Sequence, residues 1–177
     1  MIHFIIGGAR SGKSSYAENL AGNSGAEVIY IATAQAYDDE MQERIQQHKH
    51  QRPSQWDTFE EPIEIGNVIN DKSSPTNCLL IDCLTLWVTN LLCENKNMAD
   101  YKQQLVDALS NVKGDVILVS NETGMGVVPM GELTRRYCDE AGWLHQEIAA
   151  LADQVVLMVA GIPVVIKHIS SHHQHKS

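Results

Sequence analysis

One stretch near the start of the chain leaves few folds open. Residues 7–14 read Gly7-Gly8-Ala9-Arg10-Ser11-Gly12-Lys13-Ser14, directly after the apolar run Ile2–Ile6. The pattern is G-x-x-x-x-G-K-[ST], and its surroundings are those it requires, a strand before it and a helix opening at Lys13. Glycines let the backbone turn tightly and aim successive N–H groups inward, where phosphate oxygens can meet them. The N-terminus of the following helix adds its partial positive charge. In that arrangement Lys13 neutralises the β- and γ-phosphates, and Ser14 offers its hydroxyl to Mg²⁺. The loop predicts a nucleotide site and fixes a strand–turn–helix start.

The remaining pattern extends that start into an α/β sheet. Short, β-rich apolar runs recur at Val28–Ala32, Cys78–Ile81, Val116–Val119 and Val155–Val159. Nearly continuous apolar strands of this kind suit a parallel sheet covered on both faces. Helical segments are expected between them, at about Lys13–Ala21, Asp38–Arg52, Ile63–Asn70, Leu84–Glu94, Met98–Val112 and Glu132–Ala152. Alternation of this sort is the α/β signature, with right-handed crossovers. A last run, Pro163–Ile166, follows Val155–Val159 after only a short turn at Gly161–Ile162. Too little chain remains there for a helical crossover, so this strand should pair antiparallel at the sheet edge. With 177 residues and no internal repeat or linker, one domain is expected over residues 1–167. Residues 168–177 are expected to form a disordered tail.

Composition removes several functional classes. Thirteen Lys and Arg against 22 Asp and Glu leave a formal charge of −9, which argues against a basic nucleic-acid groove. That acidity is uneven. Residues 1–52 carry five Lys/Arg against six acids, so the expected nucleotide site lies in the near-neutral part. No apolar run approaches the roughly 20 residues that span a bilayer. No leader segment precedes the first strand, which predicts a cytoplasmic protein. The four cysteines, Cys78, Cys83, Cys93 and Cys138, form no C-x-x-C pair and are expected to be reduced core thiols.

Other chemistry-bearing residues are legible with less specificity. The run Cys78-Leu79-Leu80-Ile81-Asp82 ends an apolar strand on a carboxylate, which is how a Walker-B aspartate is presented to Mg²⁺. A strand-terminal Asp also serves as a plain helix cap, and a helix does follow. Within Asp38–Arg52, the residues Arg44, His48 and Arg52 fall at i, i+4 and i+8 on one helix face. His50 lies about 200° around from His48. Neighbouring cations lower the imidazole pKa, leaving His48 neutral and nucleophilic near pH 7. The same arginines could grip a phosphate in bidentate fashion. A solvated helix with acids first and cations last, complementing its dipole, is the plainer reading. His3 and His145 are expected to be packing residues. The glycine-rich stretch Ser120–Pro129 follows a strand C-terminus, where open α/β sheets bind ligands.

Taken together, these residues resemble a known family. The pieces are the loop at 7–14, Tyr-Ile-Ala-Thr-Ala-Gln at 30–35, Asp-Asp-Glu-Met at 38–41 and Arg-Ile-x-x-His-x-x-x-Arg-Pro from Arg44 to Pro53. Trp56, Glu60, Asp-Cys-Leu-Thr-Leu-Trp-Val-Thr-Asn-Leu-Leu at 82–92, Ser-Asn-Glu-x-Gly-Met-Gly from Ser120 and Ala-Gly at 141–142 complete the set. The chain is similar, to about Lys167, to the bifunctional adenosylcobinamide kinase / adenosylcobinamide-phosphate guanylyltransferase family of cobalamin biosynthesis. It departs at Trp143 and His145, where relatives often carry Arg and Asn.

The resemblance implies a RecA-like P-loop NTPase fold, a mostly parallel sheet flanked by helices, assembled as a homotrimer. It implies phosphorylation of the aminopropanol hydroxyl of adenosylcobinamide by ATP or GTP. GTP then guanylylates a histidine, and the GMP passes to adenosylcobinamide phosphate, giving adenosylcobinamide-GDP. The guanylylated position is His48; Gln47 stands where some relatives carry a second histidine. Nucleotide contacts carry over to Gly7, Gly8, Ala9, Arg10, Ser11, Gly12, Lys13 and Ser14, and to Ala32, Thr33 and Ala34. They also carry over to Lys49, His50, Gln51, Arg52, Glu60 and Asp82. Two other readings fit the phosphate loop: a small-molecule kinase in which His48 is structural, and a GTP-binding regulatory module. The latter lacks an Asn-Lys-x-Asp base-specificity motif.

Overall fold

The computed structural model describes residues 1–35 and 53–169. Seven strands form one sheet in the order β3-β2-β4-β5-β1-β6-β7. In chain order these are β1 (Ile2–Gly7), β2 (Glu27–Ala32), β3 (Asp57–Glu60), β4 (Asn77–Asp82), β5 (Asp115–Asn121), β6 (Gln154–Val159) and β7 (Ile162–His168). Every pairing is parallel except β6–β7. The antiparallel edge expected from the short final turn is therefore present. That turn sits at Ala160-Gly161, one residue earlier than expected. Both residues have positive φ, 50° and 81°, the geometry of a two-residue turn that matches strand twist. β5 separates the phosphate-loop strand β1 from β4, the strand that ends on Asp82, in the RecA-like arrangement that the resemblance implies.

The alternation of side chains along each strand divides the core in two. Ile5, Tyr30, Leu80, Val119 and Val156 face α1 (Lys13–Gly22), which contributes Ala17 and Ala21. Phe4, Ile31, Leu79, Ile81 and Leu118 face the other layer. That layer holds α2 (Ile65–Lys72), α3 (Leu84–Cys93), α4 (Met98–Ser110) and α5 (Glu132–Leu151). Fully buried Ile65, Ile69, Trp87, Leu91, Leu105, Leu144 and Ile148 join these helices to the sheet. The indole N–H of buried Trp87 donates to the Ile63 carbonyl at 2.7 Å, so its one polar atom is satisfied. Local signals end and start the helices as well. Asn95 adopts φ 52° after α3, Lys96 N–H reaches back to the Leu91 carbonyl at 2.9 Å, and the Asn97 side chain caps α4 through Ala99 N–H.

Three expectations are corrected. β3 was not foreseen; it is a four-residue edge strand in which only Phe59 is half-buried, so it shows little apolar alternation. α2 begins and ends two residues later than expected, from Ile65 to Lys72. All four cysteines are free thiols, but they are not all core: Cys78 is buried, Cys83 and Cys138 are half-buried, and Cys93 is exposed at the end of α3. The last strand continues to His168, and Ile169 N–H bonds to the Asp153 carbonyl at 2.8 Å.

Candidate active site

The parallel register gathers the sequence-selected residues at one edge of the sheet. Glu60 pairs with Ala32, Ala32 with Asp82, Asp82 with Val119, and Gly7 with Asn121. These residues end β3, β2, β4, β5 and β1, so they line the carboxyl ends of adjacent strands, where α/β sheets bind ligands. Glu122 N–H donates to the Gly7 carbonyl at 2.9 Å and ties the Ser120–Pro129 loop to the start of the phosphate loop.

The loop itself has the shape its glycines anticipate. Gly12 caps α1 at φ 93°, in the left-handed region, and Arg10 also lies there at φ 55°. A Cβ at Gly7 would stand 2.5 Å from the Met158 carbonyl oxygen and 2.8 Å from Ser11 Oγ. Ser11 N–H returns to the Gly8 carbonyl at 3.3 Å, and the hairpin turn supports the loop from below through Gly161 N–H to the Ser11 carbonyl at 3.0 Å. Gly8, Ala9 and Arg10 are exposed, whereas Ser11 and Lys13 are buried. Among the described residues Ser11 Oγ has no hydrogen-bond partner, which leaves a buried hydroxyl within the loop for a ligand oxygen. Lys13 Nζ donates to the Gly8 carbonyl at 2.6 Å. Burial pulls its ammonium below the ordinary lysine range, while the nearby Cys83 and Asp82 side chains push the other way. A buried cation held, among the described residues, by one carbonyl is well suited to exchange that partner for a phosphate oxygen.

Asp82 faces the same side of the sheet as α1, and Tyr30 Oη donates to its Oδ2 at 3.1 Å. The backbone beyond Asp82 is clamped. Thr33, fully buried, donates through Oγ1 to the Cys83 carbonyl at 2.7 Å and accepts the Cys83 N–H at 2.9 Å. Asn90 Nδ2 then donates to the Thr33 carbonyl at 2.8 Å and the Pro62 carbonyl at 3.0 Å. Thus the Thr33 hydroxyl is engaged with the chain and holds the strand ends in place; Ala32 and Ala34 flank it. Burial and Asp82 push the Cys83 thiol up to about 11, so it stays protonated at neutral pH.

Ser14 and Asp82 supply hard oxygen donors of the kind Mg²⁺ takes together with phosphate oxygens and water. Among the described residues no cluster of three His, Cys, Asp or Glu forms a protein cage for a metal. Arg44, His48, Lys49, His50, Gln51 and Arg52 lie outside the described residues. His3 and His145 are packing residues, as expected: His3 bonds to Gln154 at 3.0 Å, and His145 packs edge-on to Phe4 and bonds to Ser120 Oγ at 2.7 Å. Sequence reasoning missed Tyr30 and the Thr33–Asn90 clamp. The signal for Tyr30 was there, two residues before Ala32, but its partner on the next strand shows only once the register is known.

Comparison with known proteins adds the chemistry. A family model described as cobinamide kinase / cobinamide phosphate guanyltransferase matches residues 3–166. The bifunctional adenosylcobalamin biosynthesis protein CobP of Pseudomonas aeruginosa is 53% identical, over 94% of this chain and 98% of its own length. The corresponding Escherichia coli K12 protein, CobU, is 41% identical over 94% of this chain and all of its own. A solved protein from Pyrococcus horikoshii OT3 shares the fold alone, with a TM-score of 0.56 and 8% identity over 96% of this chain and 87% of its own.

Proposed function

The chain belongs to the cobinamide kinase / cobinamide phosphate guanyltransferase family, and on that premise we propose that one nucleotide site performs two transfers. In the first, the aminopropanol hydroxyl of adenosylcobinamide attacks the γ-phosphorus of ATP or GTP, loses its proton, and nucleoside diphosphate departs. In the second, an imidazole nitrogen of His48 attacks the α-phosphorus of GTP and pyrophosphate leaves. A phosphate oxygen of adenosylcobinamide phosphate then attacks the guanylyl-histidine, His48 leaves, and adenosylcobinamide-GDP forms. Splitting the transfer through a phosphoramidate replaces one difficult displacement by two easier ones.

The single observation carrying this reading is the register that lines up Gly7, Asp82, Ala32 and Glu60 at one sheet edge in a chain of this family. Lys13 and the loop N–H groups would hold the charge that builds on the departing phosphate. Buried Ser11 and the left-handed turn at Gly12 support a loop set for phosphate before nucleotide arrives. Ser14 and Asp82 would hold Mg²⁺, which when bound neutralises phosphate charge and orients the reacting oxygens. In this reading Ala32, Thr33, Ala34 and Glu60 would border the nucleotide, with Lys49, His50, Gln51 and Arg52 following His48.

The working unit in this proposal is a homotrimer of chains that each fold as one nucleotide-binding domain over residues 1–167. Supporting it, Ile162, Val164, Val165 and Ile166 of β7 are all at least 45% exposed in the single chain, an apolar strand that association would cover. Its place of action in this proposal is the cytoplasm; among the described residues no helix is long and apolar enough to cross a membrane.

Mass spectrometry of the protein incubated with GTP and Mg²⁺ tests the histidine route. An acid-labile, base-stable GMP adduct is expected on His48, lost in His48→Ala and retained in His50→Ala. Kinase activity without any adduct would replace this reading by a small-molecule kinase lacking a covalent intermediate.

A further inference from the structure

Asp82 is the one carboxylate in the proposed machinery that must present an oxygen to a cation in a fixed direction, and its backbone is already immobilised. Thr33 N–H bonds to the Asp82 carbonyl at 3.4 Å, and the Thr33 hydroxyl clamps Cys83 from both sides. What the clamp leaves free is rotation of the carboxylate about its own side-chain bonds. Terminal torsions of this type have broad, two-fold wells, so packing alone sets the plane of an Asp carboxylate poorly.

Tyr30 removes that freedom. Its ring is 1% exposed and sits in the core layer beneath α1. On β2 it is the register partner of Leu80, and the next residue on the same face of β4 is Asp82. The phenol thus reaches diagonally along the pleat, and Oη donates to Oδ2 at 3.1 Å. Oδ2 is occupied from the core side. Asp82 is close enough to Lys13, at the start of α1, to act on its ammonium, so the carboxylate stands on the phosphate-loop side of the sheet.

We infer that Tyr30 is a positioning residue for the metal-bound nucleotide: its hydroxyl holds Oδ2 of Asp82 so that the carboxylate meets the cation in one orientation. This rests on the proposed role of Asp82 and goes beyond it, since Tyr30 would act on the cation through the carboxylate it holds. Partners behind a metal ligand commonly change metal affinity by about 10-fold or more when removed.

The test is Tyr30→Phe, which keeps the ring and deletes only the hydroxyl. Binding of a fluorescent GTP analogue is titrated with Mg²⁺ present and with EDTA, alongside the Mg²⁺ midpoint at fixed nucleotide. Tyr30→Phe should weaken Mg²⁺-dependent binding by about 10-fold and raise the Mg²⁺ midpoint comparably. Binding in EDTA should stay at the parent level. Asp82→Asn should show the same pattern more strongly, and adding Tyr30→Phe to it should raise the Mg²⁺ midpoint no further, because the effect on the cation runs through the carboxylate. Equal losses with and without Mg²⁺, or an unchanged Mg²⁺ midpoint in Tyr30→Phe, would overturn the inference. If Asp82→Asn itself leaves the Mg²⁺ midpoint unmoved, the role of Asp82 falls, and the inference falls with it.

Discussion

Replacing Thr33 by valine should cost far more than the loss of one surface hydroxyl. Thr33 is fully buried and its Oγ1 makes two bonds to one residue, donating to the Cys83 carbonyl at 2.7 Å and accepting its N–H at 2.9 Å. Valine keeps the branched shape and removes both. The carbonyl keeps a second donor, Trp87 N–H at 3.3 Å, so its loss is that of one ordinary hydrogen bond, about 1 kcal/mol. The Cys83 N–H loses its acceptor inside the protein, and orphaning a buried donor costs about 1–3 kcal/mol. Together Thr33→Val should lower unfolding free energy by about 2–4 kcal/mol. In a domain of this size that is a fall in Tm of about 5–15 °C. Thr33→Ser separates the bonds from the packing: it keeps the hydroxyl and loses one methyl, about 1 kcal/mol. Urea unfolding followed by circular dichroism, with a thermal scan, measures both variants against the parent. If Thr33→Val falls within 1 kcal/mol of the parent, or if Thr33→Ser loses as much as Thr33→Val, the clamp does not hold this strand end.

Two further outcomes follow from the same geometry. Gly7→Ala would push a methyl to 2.5 Å from the Met158 carbonyl oxygen, whereas the space around Gly8 is open to 4 Å. Without nucleotide, Gly7→Ala should lose about 1–3 kcal/mol of stability in urea and Gly8→Ala much less; equal losses would contradict the close approach of β1 to β6. His145 supplies a pH dependence. Burial holds its pKa below 6.5 in the folded chain, with Glu122 opposing. The unfolded chain therefore takes up the proton more readily. This contribution is fully present above pH 6.5 and declines as pH falls through 6.5 toward the folded value. His145→Gln should flatten the stability profile as pH falls below 6.5, and an unchanged slope there would show that another group governs it.

Much of this molecule is readable one segment at a time. The alternation of apolar runs with amphipathic stretches located six of the seven strands: the inner ones because they are buried on both faces, and exposed β7 because its run is still continuously apolar. The short gap before β7 forced an antiparallel edge. β3 escaped notice because an edge strand with one half-buried Phe59 need not look like a strand. Cys93 was expected to be in the core, but it falls on the last turn of α3, where the helix face has rotated outward. Its chemistry and spacing carried no sign of that rotation.

The sequence by itself determined the phosphate loop, since Gly7 to Ser14 is a continuous segment whose backbone dihedrals and helix terminus are local properties. It also determined that Asp82 would end an apolar strand. Only the tertiary structure decided that β5 lies between β1 and β4, that Ala32, Glu60 and Asp82 stand at one level, and that Tyr30 meets Asp82 across two strands. The physical reason is register. Side chains alternate from face to face along a strand, so a slip of one residue would turn Asp82 away from both α1 and Tyr30. That choice is made by the summed burial of both core layers, which no single segment contains.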